Sequence, residues 1–498
     1  MPSSTTVLLV ACGYLLLSLV VGILPGARSS KSATGFVAGD RGLGLLVMYF
    51  ITGATIFSAF AFLGAPGWAY SRGAAAFYIL AYGTLGFVPF YFVGPRAARL
   101  GRFYGFVTQA EMVAHRFRRP ALAGVMALIS TIAFIPYLAL QMKGAGYVFS
   151  ALTRGAVAEW AGAAIVYGVV LIYVLRSGVL GVGWTNTLQG IFMLALAWGL
   201  GLYLPHALHG GVGEMFALLK ERRPELLTAP GLDAGGAPWH WAGYSSAVLV
   251  SVLGFSFWPH LFMKAFTARD ERVLKKTVVL YPTFQLFLLP IILIGFAGVM
   301  FEPAPEAADQ ILPHMLMNMK LPALLVGLFC AGALAASMSS GDTIAHAAAS
   351  IIVRDGLMTA GQRRLPPVRE MWLIRIVVVL VLVVAYVTAL LYRDSLVMLL
   401  LYAYGPVVQF MPAVAATLYW SRATGTGVLL GLVAGIAVNI AAVVWPAAAP
   451  WPIHAGAYGL AANVLILVCV SLLSGRARDS ERQAEEARFL RIAAGRER

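Results

Sequence analysis

Residues 328–350 read LFCAGALAASMSSGDTIAHAAAS, in which Ala336, Ser339, Ser340 and Thr343 recur at i, i+3, i+4 and i+7. On a helix that spacing puts them on one face, which is narrow, small and rich in hydroxyls. Two hydroxyl oxygens on one turn, set against carbonyls released by an interrupted helix, make a cage of hard oxygen ligands for a monovalent cation. A small-residue packing face between helices is the alternative reading of the same stripe. Asp342 stands beside these residues, in the apolar run. A buried carboxylate is costly unless it pairs, binds a cation or takes a proton. Three readings stay open: a proton site with His346 one turn on, a second cation site, or a place in water at the cytoplasmic mouth. Ser339 and His346 are the one tempting nucleophile–base pair, but two turns separate them by about 10.8 Å. That distance argues against an enzyme, and the three cysteines, Cys12, Cys330 and Cys469, have no metal or disulfide spacing.

The elements that must carry these groups are membrane helices. Of 498 residues, 60% are hydrophobic and only 11% are charged, which excludes a water-soluble globular chain and a disordered one. A helix needs about 20 apolar residues to cross the hydrocarbon core. Thirteen segments qualify: 5–25, 44–70, 74–95, 121–150, 157–175, 178–206, 241–263, 277–301, 319–350, 371–392, 396–420, 424–446 and 455–474. The first has no basic stretch before it and reads as a retained span rather than a cleaved signal peptide.

Basic residues sort the loops. With the N-terminus outside and the C-terminus inside, 28 of the 36 Lys and Arg residues fall in cytoplasmic segments, including Lys264, and seven fall outside. The net charge of +15 therefore reflects topology and gives no reason to invoke nucleic acid. Residues 1–474 read as a single transmembrane domain. Residues 475–498 read as a basic cytoplasmic tail, a solvated helix near anionic lipid. The inner segment 96–120 reads as an amphipathic helix lying on that face. No obligate protein partner is evident.

Glycine and proline interrupt two of the spans. The second reads FITGATIFSAFAFLGAPGWAY, with Gly53, Gly64, Pro66 and Gly67, and the seventh reads YSSAVLVSVLGFSFWPHLFMKAF, with Gly254 and Pro259. The two lie five spans apart. If residues 44–206 and 241–420 are two halves, each opens with a broken helix, the pattern of an inverted-repeat carrier with its sites at the breaks. Lys143, in YLALQMKGAGYVF, is a basic residue inside a span. It could hold an anionic solute group, neutralise Asp342, or snorkel to the interface.

These residues carry a resemblance. TGATIFSAF in the second span, GWTNTLQG in the sixth, WPHLFMKAFTARDERVLKK after the second break, ASMSSGDT in the ninth and YGPVVQFMPA in the eleventh are similar to the sodium:solute symporters. The resemblance runs over nearly the whole chain. It implies an all-α integral membrane protein of LeuT-like fold, two inverted five-helix repeats with one helix before and two after, working by alternating access in the plasma membrane. It implies a sodium site from the carbonyls of Ala54, Phe57 and Ala336 and the hydroxyls of Ser339 and Ser340. Many members have an Asp in the motif that here has Asn186, where some hold a second sodium. A second cation or proton site in this chain would draw on Asn186, Asp342, Thr343 and His346.

At a finer level the chain resembles the monocarboxylate and pantothenate branch. The expected function is sodium-coupled uptake of a small organic anion, a monocarboxylate such as lactate, pyruvate or an acetate-like acid. A proton-coupled or sodium-independent carrier, or one for pantothenate, proline or another amino acid, is the alternative. The candidate lining is Thr55, Ser58, Gln141, Lys143, Trp258, His260, Tyr404 and Gln409, with sodium as coupling ion and no organic cofactor.

Overall fold

A computed structural model of the protein describes residues 4–27, 33–391, 403–474 and 480–497. Hydrocarbon offers no partner to a polar backbone, so a chain this apolar satisfies itself in helices. The described residues are helical and contain no strands. In the first half they form α1 (Ser4–Ile23), α2 (Ala33–Ala38), α3 (Leu45–Ile56), α4 (Ala65–Arg72), α5 (Phe77–Leu85), α6 (Val88–Tyr104), α7 (Gln109–Phe117), α8 (Pro120–Leu152), α9 (Glu159–His209) and α10 (Val212–Arg222). The second half has α11 (Trp241–Phe255), α12 (Pro259–Phe262), α13 (Lys264–Thr267), α14 (Glu271–Gln285), α15 (Leu288–Gly298), α16 (Ile311–Asn318), α17 (Ala323–Ile351) and α18 (Pro367–Leu391). After these come α19 (Phe410–Tyr419), α20 (Gly425–Val444), α21 (Ala455–Leu473) and α22 (Ser480–Ala494).

Among the described residues, nine helical stretches are long and apolar enough to cross a bilayer. They become up to ten if the pair Trp241–Phe255 and Pro259–Thr267, bent by 45°, is one span. The predicted spans 157–175 and 178–206 are joined in α9, which turns at Gly178 (φ 54°, ψ −143°). That backbone conformation suits glycine alone, and a Cβ there would stand 2.5 Å from the Phe36 carbonyl oxygen. The predicted span 396–420 lies partly outside the described residues.

The core is organised around α17, in which every residue from Phe329 to Ile351 is buried. Its small side chains let α1, α3, α8 and α9 approach closely. A Cβ on Gly341 would stand 2.3 Å from the Tyr167 hydroxyl. Hydroxyl-rich α17 therefore sits at the centre of the bundle, against the first broken helix.

The inner segment forms two helices, not one. α6 ends at Gly105 in the left-handed region (φ 83°). α7 then starts on a Thr108 N-cap: Thr108 Oγ1 accepts from the Glu111 amide (3.1 Å), and Glu111 Oε2 reaches back to accept from the Val107 amide (2.9 Å). Many of the basic residues assigned to the cytoplasm meet at this end. Arg354 pairs with Glu111 (2.6 Å) and Glu370 (2.9 Å), and Arg99 pairs with Glu271 (2.6 Å). The tail departs from expectation. Rather than a solvated helix, α22 docks on this face with Phe489, Ile492 and Ala493 buried, and Phe489 stacks on Tyr104 at 5.6 Å. Arg118–Glu485 and Arg116–Glu486 ion pairs hold its polar side. The repeat of apolar residues on α22 was masked in the sequence by the arginines around it.

Candidate functional site

The first break frees the Ala54 and Thr55 carbonyls in a way the backbone makes explicit. In a continuous helix the Ser58 amide would bond Ala54 and the Ala59 amide would bond Thr55. Phe57 (φ −73°, ψ 72°) leaves the helical region, so the Ser58 amide turns to the Ile56 carbonyl (2.8 Å). The Ala59 amide is taken by Gln141 Oε1 from α8 (2.9 Å). The Ala54 and Thr55 carbonyls are left facing α17. Ser339 Oγ donates to the Ala54 carbonyl (2.9 Å) and the Ala336 carbonyl (3.1 Å), and Ser340 Oγ donates to the Thr55 carbonyl (2.6 Å). Ala54, Ala336, Ser339 and Ser340 thus come together as the sequence suggested. Ser340 thus meets the Thr55 carbonyl, a contact the sequence did not single out. The Phe57 ring packs on Phe287, with centroids 3.7 Å apart. These oxygens are all buried. A cation of modest size suits such a cluster, since both hydroxyls can turn their lone pairs inward.

Asp342 is one residue group further into the bundle, with no exposed surface. It is not in water at a cytoplasmic mouth. Its carboxylate accepts from Tyr173 Oη (2.7 Å), Thr185 Oγ1 (3.2 Å), Thr343 Oγ1 (3.1 Å) and Asn186 Nδ2 (3.2 Å to each oxygen). Thr55 Oγ1 meets Asn186 Oδ1 (3.4 Å) and Thr343 Oγ1 (3.2 Å), linking this carboxylate to the serine cluster. His346 does not serve as its hydrogen-bond partner. Its Nε2 pairs with the Phe36 carbonyl (2.9 Å), and its ring lies against the Phe36 ring. One helical turn separates Asp342 and His346, but the two side chains are drawn to different neighbours.

The second break is aromatic. Trp258 follows it and packs on Phe134 (5.9 Å), Tyr137 (5.3 Å) and, edge-on, Tyr404 (5.7 Å). His260 packs on Phe134, Tyr137 and Trp258. Tyr137 and Gln141 lie one turn apart on α8, so this helix meets the second break through Tyr137 and the first through Gln141. Gln141 Nε2 is buried there without a hydrogen-bond partner. Gln109 of α7 donates to the Phe257 carbonyl (3.1 Å), fixing the second break from the inner face.

The structure therefore packs Trp258 and His260 on Tyr137 and Tyr404 on Trp258, sets Gln141 one turn from Tyr137 on α8, and places Thr55 with the cation cluster. Two expected lining residues lie elsewhere. Gln409 donates to the Gly405 (3.0 Å) and Gly456 (3.3 Å) carbonyls and accepts from Asn463, binding the last helices together. Its side chain serves packing. Lys143 lines a different cavity, with Glu159, Trp160 and Tyr386, because it is two residues beyond Gln141 and so points away from the breaks. Sequence reasoning missed Tyr137, Tyr173 and Thr185. Thr185 sits in the quoted GWTNTLQG motif, beside Asn186; the two tyrosines have no local signal. It also put Lys264 in a cytoplasmic loop by counting charges, whereas Lys264 is 2% exposed.

Comparison with known proteins accords with this arrangement. Residues 36–435 match the model of the Sodium:solute symporter family. The chain is 29% identical over 493 residues to the uncharacterized symporter YhjB of Bacillus subtilis (strain 168), covering 95% of this chain and 98% of that protein. It is 24% identical to the sodium/pantothenate symporter of Haemophilus influenzae (81% and 83% covered). It is 23% identical to the monocarboxylate transport permease protein of Rhizobium johnstonii (87% and 89% covered). Among solved structures, a Na+-coupled sialic acid symporter in a substrate-bound outward-open state superposes with a TM-score of 0.77 at 18% identity, covering 95% of this chain and 99% of that one. That likeness establishes the LeuT-like fold. A broken helix facing a hydroxyl-bearing one, the multi-pass architecture and a family match over most of the sequence lead to one conclusion: this membrane protein, a transporter and not an enzyme, belongs to the sodium:solute symporter family.

Proposed function

We propose that the protein takes up a small organic carboxylate, with a monocarboxylate of the lactate or pyruvate type as first choice, driven by sodium entering at the Ser339/Ser340 cluster. The observation that carries this reading is the pair of serine hydroxyls on the freed Ala54 and Thr55 carbonyls. Sodium there joins the first broken helix to α17. The solute binds beside it, between the two breaks, where Gln141 Nε2 is a buried donor with no partner and Trp258, Tyr137 and Tyr404 supply an apolar wall. An unpaired donor in such a wall suits a carboxylate oxygen. Pantothenate and proline share that carboxylate and are the alternatives for the rest of the pocket. Sodium and solute that favour the same conformations are coupled by their differential affinities.

The topology belongs to the same reading. At about 1.5 Å per residue, the 51 residues of α9 run far beyond a core of about 30 Å and make two spans. α3 and α4 form one broken span. With the bent pair after residue 241 and a span across 396–420, thirteen crossings follow, N-terminus out and C-terminus in. The transport domain is residues 1–474, with repeats of about 44–206 and 241–420, and the tail lies in the cytoplasm.

The test is uptake of radiolabelled pyruvate, lactate, pantothenate and proline into proteoliposomes under an inward sodium gradient. Saturable uptake of one, weakened by Gln141→Ala through a raised KM, is expected. Uptake that is indifferent to Gln141→Ala removes the carboxylate assignment.

A further inference from the structure

On the face that carries α7 the two broken helices are stitched together. The Leu43 amide, just before α3, donates to the Thr267 carbonyl at the end of α13 (3.1 Å), and the Arg269 amide donates to the Leu43 carbonyl (2.9 Å). Arg41 donates to the Phe266 (3.3 Å) and Phe106 (2.9 Å) carbonyls, which draws the turn between α6 and α7 onto the same seam. A carrier that exposes its site to each side in turn has to open this seam once per cycle.

α6 and α7 are fastened to different parts of the bundle. α6 goes with α13 and α14: Arg99 Nε and Nη2 donate to Glu271, the first residue of α14 (2.8 and 2.6 Å), and Arg102 donates to the Ala268 (3.3 Å) and Arg269 (3.2 Å) carbonyls. α7 goes with α17 and α18: Thr108 donates to Asp355, just beyond α17 (2.5 Å), and Arg354 joins Glu111 to Glu370. Between the two helices stands Gly105, at φ 83° with open space where a Cβ would sit. A glycine in the left-handed region with nothing packed on it can serve as a joint. α22 lies across that joint and is bonded on both sides of it. Toward α6, Arg99 Nη1 donates to the Ala493 carbonyl at the C-terminal end of α22 (2.8 Å), and Phe489 stacks on Tyr104. Toward α7, Phe489 also stacks on His115 (6.2 Å), Glu486 pairs with Arg116 (3.3 Å) and Glu485 pairs with Arg118. The Arg99 guanidinium thus holds α14 and the tail at once.

We infer that α22 is an intramolecular clamp: docked, it holds α6 and α7 in the arrangement that keeps the seam at Leu43 and Thr267 shut, and its release raises the fraction of carriers open at this face. Contacts made in one conformation alone shift the equilibrium toward it by their own free energy. The clamp acts at this face whichever side of the membrane it meets.

Hydrogen–deuterium exchange of the purified full-length carrier reads the seam with no solute present, because exchange follows the population in which an amide's bond is open. Phe489→Glu puts a carboxylate into the aromatic stack, and Glu486→Lys turns the pair with Arg116 into a repulsion. Each is expected to speed exchange along α22 and, by about tenfold or more, at the Leu43 and Arg269 amides, while residues 330–334 in α17 exchange as in the wild type. The two variants break different contacts, so either one decides the matter where the other fails to fold. Exchange that rises along α22 but stays at the wild-type rate at Leu43 and Arg269 overturns the inference. So does exchange that rises equally at residues 330–334, which would make the tail a general support of the fold. Wild-type exchange along α22 in both variants would show that these contacts do not hold the helix, and overturns it as well.

Discussion

Replacing Ser340 by Ala removes one oxygen from the cation cluster and little else. The residue is mid-helix in α17, where alanine is the best helix former, and its hydroxyl has one partner, the Thr55 carbonyl at 2.6 Å. A hydrogen bond or ligand contact to a charged group contributes about 1.5–3 kcal/mol. At about 1.4 kcal/mol per tenfold, the sodium dissociation constant should rise by roughly 10- to 150-fold. Ser339→Ala, whose hydroxyl meets both Ala54 and Ala336, should fall in the same range. The assay is thermal unfolding of the detergent-purified carrier titrated with sodium in a choline background. An ion bound only by the folded state stabilises it by RT ln(1 + [L]/Kd), so the titration midpoint reports the sodium site with no solute present. Ser350→Ala is the control: this buried hydroxyl on α17 donates to the His346 carbonyl (2.8 Å), away from the cluster, and its loss should leave the sodium titration within about threefold of wild type. Ser339→Ala and Ser340→Ala variants that titrate like wild type would refute the site.

Two further outcomes follow from packing and charge. A Cβ on Gly53 would stand 2.5 Å from the Phe284 ring, so Gly53→Ala should destabilise the first broken helix by about 1–3 kcal/mol, read as a lower melting temperature. Arg354 holds Glu111 and Glu370 together in a largely buried cluster. Arg354→Met leaves two carboxylates unpaired and should cost about 3–5 kcal/mol, while an unchanged melting temperature would show that water, rather than Arg354, satisfies them.

Much of this arrangement was legible in the sequence because membrane helices advertise themselves locally. The hydroxyl stripe on α17, the glycine and proline interruptions and the long apolar runs are short-range signals, and they located the first break and its partner. What the sequence hid was long-range. Phe57 ends α3, but only the turning of the Ser58 amide to Ile56 and of the Ala59 amide to Gln141 shows that the Thr55 carbonyl is freed along with that of Ala54. Lys264 follows a run of residues that reads equally well as a span or as a loop, and charge counting assigns it by sign alone. Its burial is that of α13 as a whole, whose four residues are all buried. Gln409 and Lys143 are polar residues in apolar helices, and polarity alone does not say which face of the bundle they serve. The buried face of α22 was obscured in the same way, since Phe489 and Ile492 stand among exposed Arg488 and Arg491.

The most direct test of sodium coupling is solute accumulation in proteoliposomes under an inward sodium gradient, an inward proton gradient, or neither, with pyruvate as the first probe and pantothenate and proline beside it. The expected result is concentration of one of these carboxylates above equilibrium under the sodium gradient, abolished by the Ser339→Ala/Ser340→Ala double variant. Accumulation under the proton gradient alone, in sodium-free buffer and unaffected by the double variant, would contradict the assignment of the serine cluster as the coupling site.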